Sequence, residues 1–108
     1  MADQKAYVYA DSDGVYHVHP PVVVLSKTGN VVDKFELVNV TGADFVFGIE
    51  EGAFNPVGNG PEAKPLKKNS KVGPLTPQVS GAYSYSVVAT KTGKKAKGNS
   101  DPVIIIDI

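Results

Sequence analysis

Apolar and polar side chains alternate along much of the chain with a period of two, which is typical of half-buried β-strands. The alternation is clearest over residues 34–40, 45–49 and 82–90. Its inward positions are Phe35 and Leu37 in the first segment, Phe45, Phe47 and Ile49 in the second, and Tyr83, Tyr85, Val87 and Ala89 in the third. We therefore predict a β-strand in each segment.

Weaker strand patterns fill most of the remaining chain. They cover residues 6–10, 15–19, 22–25, 71–75 and 102–108, and Gly, Pro, Asp or Asn residues separate them. Pro74 and Pro77 place the strand at 71–75 at a sheet edge, because proline cannot donate a ladder hydrogen bond. Residues 50–66 contain three glycines and three prolines, which predicts a long irregular segment. Short strands joined by tight turns predict an all-β fold, a single antiparallel Greek-key β-sandwich of about seven strands spanning residues 1–108.

Composition supports this fold class and excludes several kinds of chemistry. Valine occurs 17 times and leucine 4 times among 108 residues, which excludes a helical bundle. There is no cysteine, so disulfides, thiolate nucleophiles and cysteine-based metal sites are excluded. All 11 basic residues are lysine, so the bidentate capture of carboxylate, phosphate or guanine that arginine provides is excluded as well.

The zero net charge hides an uneven distribution along the chain. Residues 1–63 carry nine acids and three lysines, residues 64–100 carry eight lysines and no acid, and residues 101–108 carry two acids. If both lysine-rich tips meet at one end of the sandwich, they form a positive pole opposite the acidic half. We identify Lys67, Lys68, Lys94 and Lys95 as candidate anion-binding residues. The alternative is that these lysines only keep solvated loops soluble and block edge pairing.

His17 and His19 are the only histidines, and they form a candidate metal site. Residues i and i+2 of a strand point to the same face, so two imidazoles there could bind Cu, Zn or Ni, with Asp11 or Asp13 as a further ligand. The competing interpretation is an exposed polar face before Pro20 and Pro21, because a specific site needs a third ligand that the spacing does not supply.

Two segments resemble cupredoxins, the small copper-binding β-sandwiches. Gly81-Ala82-Tyr83-Ser84-Tyr85-Ser86-Val87, a loop and the apolar strand at residues 102–106 resemble the closing half of that family, and residues 35–47 resemble its strand–Asn–turn–strand. The resemblance implies that the hydroxyl of Tyr83 ties its strand to the preceding turn. The same closing residues also resemble a fibronectin type III or other immunoglobulin-like domain, although the tryptophan usual there is absent.

The departures from the cupredoxin pattern concern the metal. The resemblance puts Val87 at the position of the copper cysteine, Thr90 at that of the following histidine and Asp44 near that of the upstream histidine. Met1, the only methionine, lies far from the final loop. A type 1 copper centre needs two imidazoles and a thiolate. We therefore expect a version of the sandwich without copper or any other cofactor.

The sequence contains no motif that assembles a catalytic site. It has no Gly-x-Ser-x-Gly elbow and no phosphate-cradling glycine loop. We expect a non-enzymatic binding or structural module, acting on another protein through its loops or a sheet edge. Lysines without arginines or interleaved aromatics argue against a nucleic-acid partner. The alternative function is metal handling through His17 and His19.

No apolar run in the sequence is long enough to span a membrane. The sequence does not indicate the oligomeric state. We expect a cytoplasmic protein if the chain is complete, and a periplasmic or secreted one if a signal peptide has been removed.

Overall fold

A computed structural model describes residues 3–49, 53–55, 62–96 and 102–108. Within these ranges the chain forms β-strands and no helix, so none of the described residues belongs to a helix that could cross a membrane. The strands are β1 (Asp3–Ala10), β2 (Tyr16–His19), β3 (Val22–Thr28), β4 (Val31–Val32), β5 (Lys34–Asn39), β6 (Phe45–Ile49), β7 (Phe54–Asn55), β8 (Glu62–Leu66), β9 (Lys71–Pro77), β10 (Gly81–Ala89) and β11 (Val103–Asp107).

The strands form two sheets, which confirms the predicted all-β sandwich. One sheet has the order β2-β1-β5-β9-β7, and the other has the order β4-β3-β11-β10-β6-β8. The expectation of wholly antiparallel sheets is wrong, because β1 pairs with β5 and β3 pairs with β11 in parallel. An alternating pattern specifies which face of a strand is buried and leaves the direction of its neighbours open, so the sequence could not distinguish the two arrangements.

Aromatic side chains from both sheets fill the middle of the core. Phe35 of β5 lies with its ring centroid 5.8 Å from that of Phe54, in a stacked arrangement, and 5.9 Å from that of Tyr85. Phe47 of β6 contacts Tyr85 edge-on at 5.5 Å. Phe35, Phe47 and Tyr85 occupy inward positions of the predicted alternation, whereas Phe54 lies in the segment predicted to be irregular. Truncating a buried phenylalanine to alanine typically costs about 3–5 kcal/mol.

Two parts of the segment predicted to be irregular, residues 50–66, form strands. Glu62–Leu66 pairs with β6 as β8, and Phe54–Asn55 pairs with the end of β9 as β7. Both are edge strands, where a proline such as Pro65 is tolerated because the outer side of the strand has no ladder partner among the described residues. Residues 50–52 and 56–61 of this segment lie outside the described ranges.

The strand predicted at 71–75 extends to Pro77 as β9 and pairs along one side with β5. On its other side β9 pairs with β7 only at Thr76 and Pro77, so within the described ranges residues 71–75 form the edge that the sequence predicts. The register between β5 and β9 shifts between Phe35 and Leu37, and Gly73 and Pro74 lie at this irregularity. A bulge interrupts the ladder locally, so the strand can accommodate a proline there.

Candidate anion-binding site

Four loops meet at one end of the sandwich, which we call the loop end. They are residues 11–15, 40–44, 67–70 and 90–95, which follow β1, β5, β8 and β10. The four strands end at the same end of the sandwich. This follows from the strand pairing, because β1 and β5 are parallel and β8 and β10 both run antiparallel to β6. The loop end is thus a direct consequence of sheet topology.

Asp44 joins three of these loops. Its carbonyl oxygen accepts a hydrogen bond from the backbone N–H of Thr90 at 3.0 Å. Its carboxylate oxygen Oδ1 accepts another from the backbone N–H of Lys68 at 2.9 Å. The backbone of the two lysine-rich loops is therefore fastened to the loop at 40–44.

The buried side chain of Asn39 also holds the loops at 40–44 and 67–70, through hydrogen bonds. Asn39, the last residue of β5, is 1% exposed. Its Nδ2 donates to the carbonyl oxygens of Ala43, Leu66 and Lys67, and its Oδ1 accepts from the backbone N–H and the hydroxyl of Thr41. A fully satisfied buried polar network of this kind holds its members in one arrangement.

Two adjoining concavities open at the loop end. The first has a volume of about 250 Å³, and its walls include Asp44, Lys68 and Lys91. The second has a volume of about 360 Å³, and its walls include Asp13, Lys94 and Lys95. Tyr16 and Thr92 line both concavities. The ring of Tyr16 is half-buried and packs edge-on against Phe45, with ring centroids 4.9 Å apart. Because this packing holds the ring in place, Tyr16 forms an apolar surface between the two polar concavities.

The loop end carries charges of both signs. Lys68, Lys91, Lys94 and Lys95 are exposed, and Asp13 and Asp44 share their concavities. The expectation of a positive pole lying opposite the acids is therefore wrong in part: the lysine tips do meet, but aspartates lie among them. The loops that carry Asp13 and Asp44 follow strands that end at the same height, which charge counts along the chain do not reveal.

The predicted anion-binding lysines come close together in space. Lys68 lines the first concavity, and Lys94 and Lys95 line the second. Lys67 is exposed on the same loop as Lys68. Lys91 and Tyr16 are not among the residues predicted from the sequence, because neither has a sequence signal for this role. Anion binding itself stays a prediction.

The candidate metal residue His17 is engaged with a carboxylate. Its Nε2 lies 2.8 Å from Oδ2 of Asp11, and its ring stacks on Tyr9 with centroids 5.4 Å apart. The Oδ1 of Asp11 accepts the backbone N–H groups of Asp13 and Val15 and closes the turn before β2. The hydrogen bond from His17, and then that from Val15, hold the pKa of the Asp11 carboxyl below its usual value of 3.8.

His19 lies on the same outer face as His17, since Val18 between them is buried. It is exposed beside Tyr7 of β1. Within the ranges that the structure describes, no three His, Asp or Glu side chains gather where they could hold a metal ion. Metal binding by His17 and His19 stays a prediction, and one that no third ligand among those residues supports.

The positions that the cupredoxin resemblance assigns to copper do not fit that metal. Val87 is fully buried, and its backbone pairs with that of Phe47 in the core. Asp44 and Thr90 do lie together at the loop end, but they supply one carboxylate and one hydroxyl. Without a thiolate or an imidazole, this set lacks the donors of a type 1 copper centre.

Comparisons with known proteins find similarity in structure. The chain is similar to a pseudoazurin from Sinorhizobium meliltoi, with 13% sequence identity and a TM-score of 0.49, over 98% of this chain and 74% of that chain. No family model and no curated protein matches the sequence. A structural match at this level carries no argument about family or activity, and the sandwich described above stands on the chain's own strand pairing.

Proposed function

We propose that the protein is a non-enzymatic binding module that takes an anionic ligand at the loop end. The observation that carries the proposal is the pair of adjoining concavities, in which two pairs of lysines, Lys68 with Lys91 and Lys94 with Lys95, flank the ring of Tyr16. Ammonium groups attract anions, and a tyrosine ring adds apolar contact area with a polar tip.

The backbone around the site supports this role because it is already organised. Asn39 and Asp44 fix three of the four loops through hydrogen bonds to backbone groups. A ligand binding there has less loop-ordering entropy to overcome, and low ordering cost is a main determinant of affinity. The lysine side chains remain free to adjust, since each is a flexible point charge rather than a planar fork.

The charges also define the ligand class. Four lysines line the two concavities beside Asp13 and Asp44, so positive charge outnumbers negative charge in the walls, and the chain has no arginine for base or phosphate recognition. The site therefore favours a chain that carries sulfate or carboxylate groups over a nucleic acid. Its two concavities can each receive one such group while Tyr16 contacts the neutral part between them.

Salt-gradient elution from immobilised heparin, a sulfated polysaccharide, tests the proposal. We expect the protein to be retained at low salt and released as salt screens the lysines. The Lys68→Gln/Lys91→Gln double variant should elute at clearly lower salt. Its control is Lys5→Gln/Lys27→Gln, which removes the same charge from exposed lysines outside the loop end.

Two results would overturn the proposal. One is flow-through of the unmodified protein at low salt. The other is an equal loss of retention in both double variants, which would mean that diffuse charge rather than the loop end holds the polymer. Backbone NMR shifts on adding heparin fragments give the location independently, and we expect them at Tyr16, Thr92 and the adjoining loops.

A further inference from the structure

The outward face that β3, β11 and β10 form in the six-stranded sheet is poor in charge within the described residues. On β3 and β11 its side chains include Val22, Val24 and Ile105, which are 50%, 46% and 37% exposed. Cross-strand pairing continues this surface through Val103, Ala82 and Ser84. We call the surface formed by the outward residues of β3, β11 and β10 the outer valine face.

Charged residues lie only at the two ends of this face, as far as the structure describes it. Among the outward residues of β3, β10 and β11 themselves, Asp107 is the one charged side chain. At the opposite end, Lys95 pairs with Val88 of β10 on the side where β11 lies, and its neighbour Ala96 is buried, so Lys95 lies at the border between this face and the second concavity. The chain as a whole is 20% charged, so the apolar surface between these two residues stands out.

We propose that the outer valine face binds the same face of a second copy of this chain. The two copies are related by a twofold axis that lies in the interface and runs perpendicular to the strands. This axis places each strand opposite the same strand of the other copy and reverses its direction. Because Lys95 and Asp107 both lie along the line of β11, next to β10, Lys95 of one copy then faces Asp107 of the other, twice in the dimer. The valine and isoleucine rows pack between these two ion pairs, as in aligned sheet packing.

Charge and area both favour a second copy as the occupant. A face with net charge meets repulsion when it is placed on itself, whereas the charges of this face balance among the described residues and the chain has a net charge of zero. A standard interface buries about 800 Å² per partner. That is roughly an eighth of the accessible surface of 6095 Å², which one broad face of a two-sheet sandwich can supply.

Sedimentation velocity between about 1 μM and about 1 mM tests the dimer over the range of weak to moderate affinities. We expect the sedimentation coefficient to rise with concentration from that of a monomer to that of a dimer. Val24→Lys places an ammonium in the middle of the face and should reduce the association constant at least tenfold. Val40→Lys, at a residue 55% exposed at the end of β5 in the other sheet, is the matched control and should leave it unchanged.

A charge exchange tests the orientation of the two copies. Lys95→Glu and Asp107→Lys should each weaken the dimer, and the double variant should restore it, because the pair is re-formed with reversed signs. A monomer at every concentration would overturn the proposal, and so would equal effects of Val24→Lys and Val40→Lys.

Discussion

The hydroxyl of Tyr83 donates a hydrogen bond to the carbonyl oxygen of Val79 at 2.8 Å. Tyr83 is the first inward residue of β10, and Val79 lies in the turn before it, so the bond ties the strand to that turn. This is the contact that the cupredoxin-like sequence pattern implies, although tyrosine corners also occur in other sandwiches.

Replacing Tyr83 with phenylalanine keeps the ring and removes this bond. We expect Tyr83→Phe to lower the free energy of unfolding by about 1 kcal/mol, with the carbonyl of Val79 left without its donor. Urea unfolding followed by tyrosine fluorescence gives the value. Tyr7→Phe, at a residue 41% exposed on the other sheet, is the control and should change stability by less than about 0.5 kcal/mol. Equal effects in the two variants would contradict the assigned role.

Asn39 is the residue on which the geometry of the loop end most depends. Asn39→Asp keeps the shape, but at neutral pH it replaces the amide donor with a carboxylate that faces the carbonyl oxygens of Ala43, Leu66 and Lys67. We expect a loss of at least about 3 kcal/mol at pH 7, because the carboxylate oxygen that replaces Nδ2 faces three carbonyl oxygens and has no donor, even though Oδ1 keeps its bonds from Thr41.

The loss should be smaller near pH 4, where a carboxyl group is largely protonated and can donate one bond. Asn30→Asp, in an exposed turn, makes the same chemical change and should be nearly neutral at both pH values. Urea unfolding of the two variants at pH 4 and pH 7 gives all four values. A loss in Asn39→Asp that is the same at both pH values would contradict this account.

The Asp11–His17 contact predicts a titration result. The pKa of Asp11 is lowered in the folded protein, so its ionised form contributes stability that is present above the unfolded pKa and is lost as pH falls through the folded pKa. By carbon NMR, the carboxyl of Asp11 should titrate below 3.8. His17→Gln should raise the midpoint, because His17 is the largest cause of the shift, whereas His19→Gln should not move it. An unchanged midpoint in His17→Gln would contradict the contact.

Gly73 occupies a position that a side chain cannot share. Its φ is +111°, and a Cβ there would lie 2.5 Å from the carbonyl oxygen of Phe35. We expect Gly73→Ala to cost at least about 2 kcal/mol, since both the backbone conformation and the close approach oppose it. Gly42→Ala is the control, because no atom outside its chain neighbours lies within 4 Å of its added Cβ. Thermal unfolding of the two variants gives the comparison.

The sequence predicts the inward faces of β5, β6 and β10 correctly, because alternation of large apolar residues determines burial directly. It cannot predict that Glu36, on an outward position of β5, is 4% exposed, because that burial depends on neighbouring strands. Lys71 of β9 contacts it, with Nζ 2.9 Å from Oε2, an ion pair without hydrogen-bond geometry.

The site shows the same division between local and tertiary information. Lysine clusters are visible in the sequence, so Lys68, Lys94 and Lys95 could be named as candidates. The contribution of Tyr16 could not be, because it depends on β2 lying beside the turn that follows β10. Distances between loops are set by strand order and direction, and the alternation pattern determines neither.

The position of β11 between β3 and β10 has a consequence for how the chain folds. Until Val103–Asp107 is inserted, the larger sheet exists only as two separate parts, each with an unpaired edge. Its partner residues in β3 lie about 80 positions earlier, so the closing step joins distant segments and is expected to be slow. During synthesis on the ribosome this sheet is completed only after nearly all of the 108 residues have emerged. Partly synthesised chains are therefore the species most exposed to aggregation.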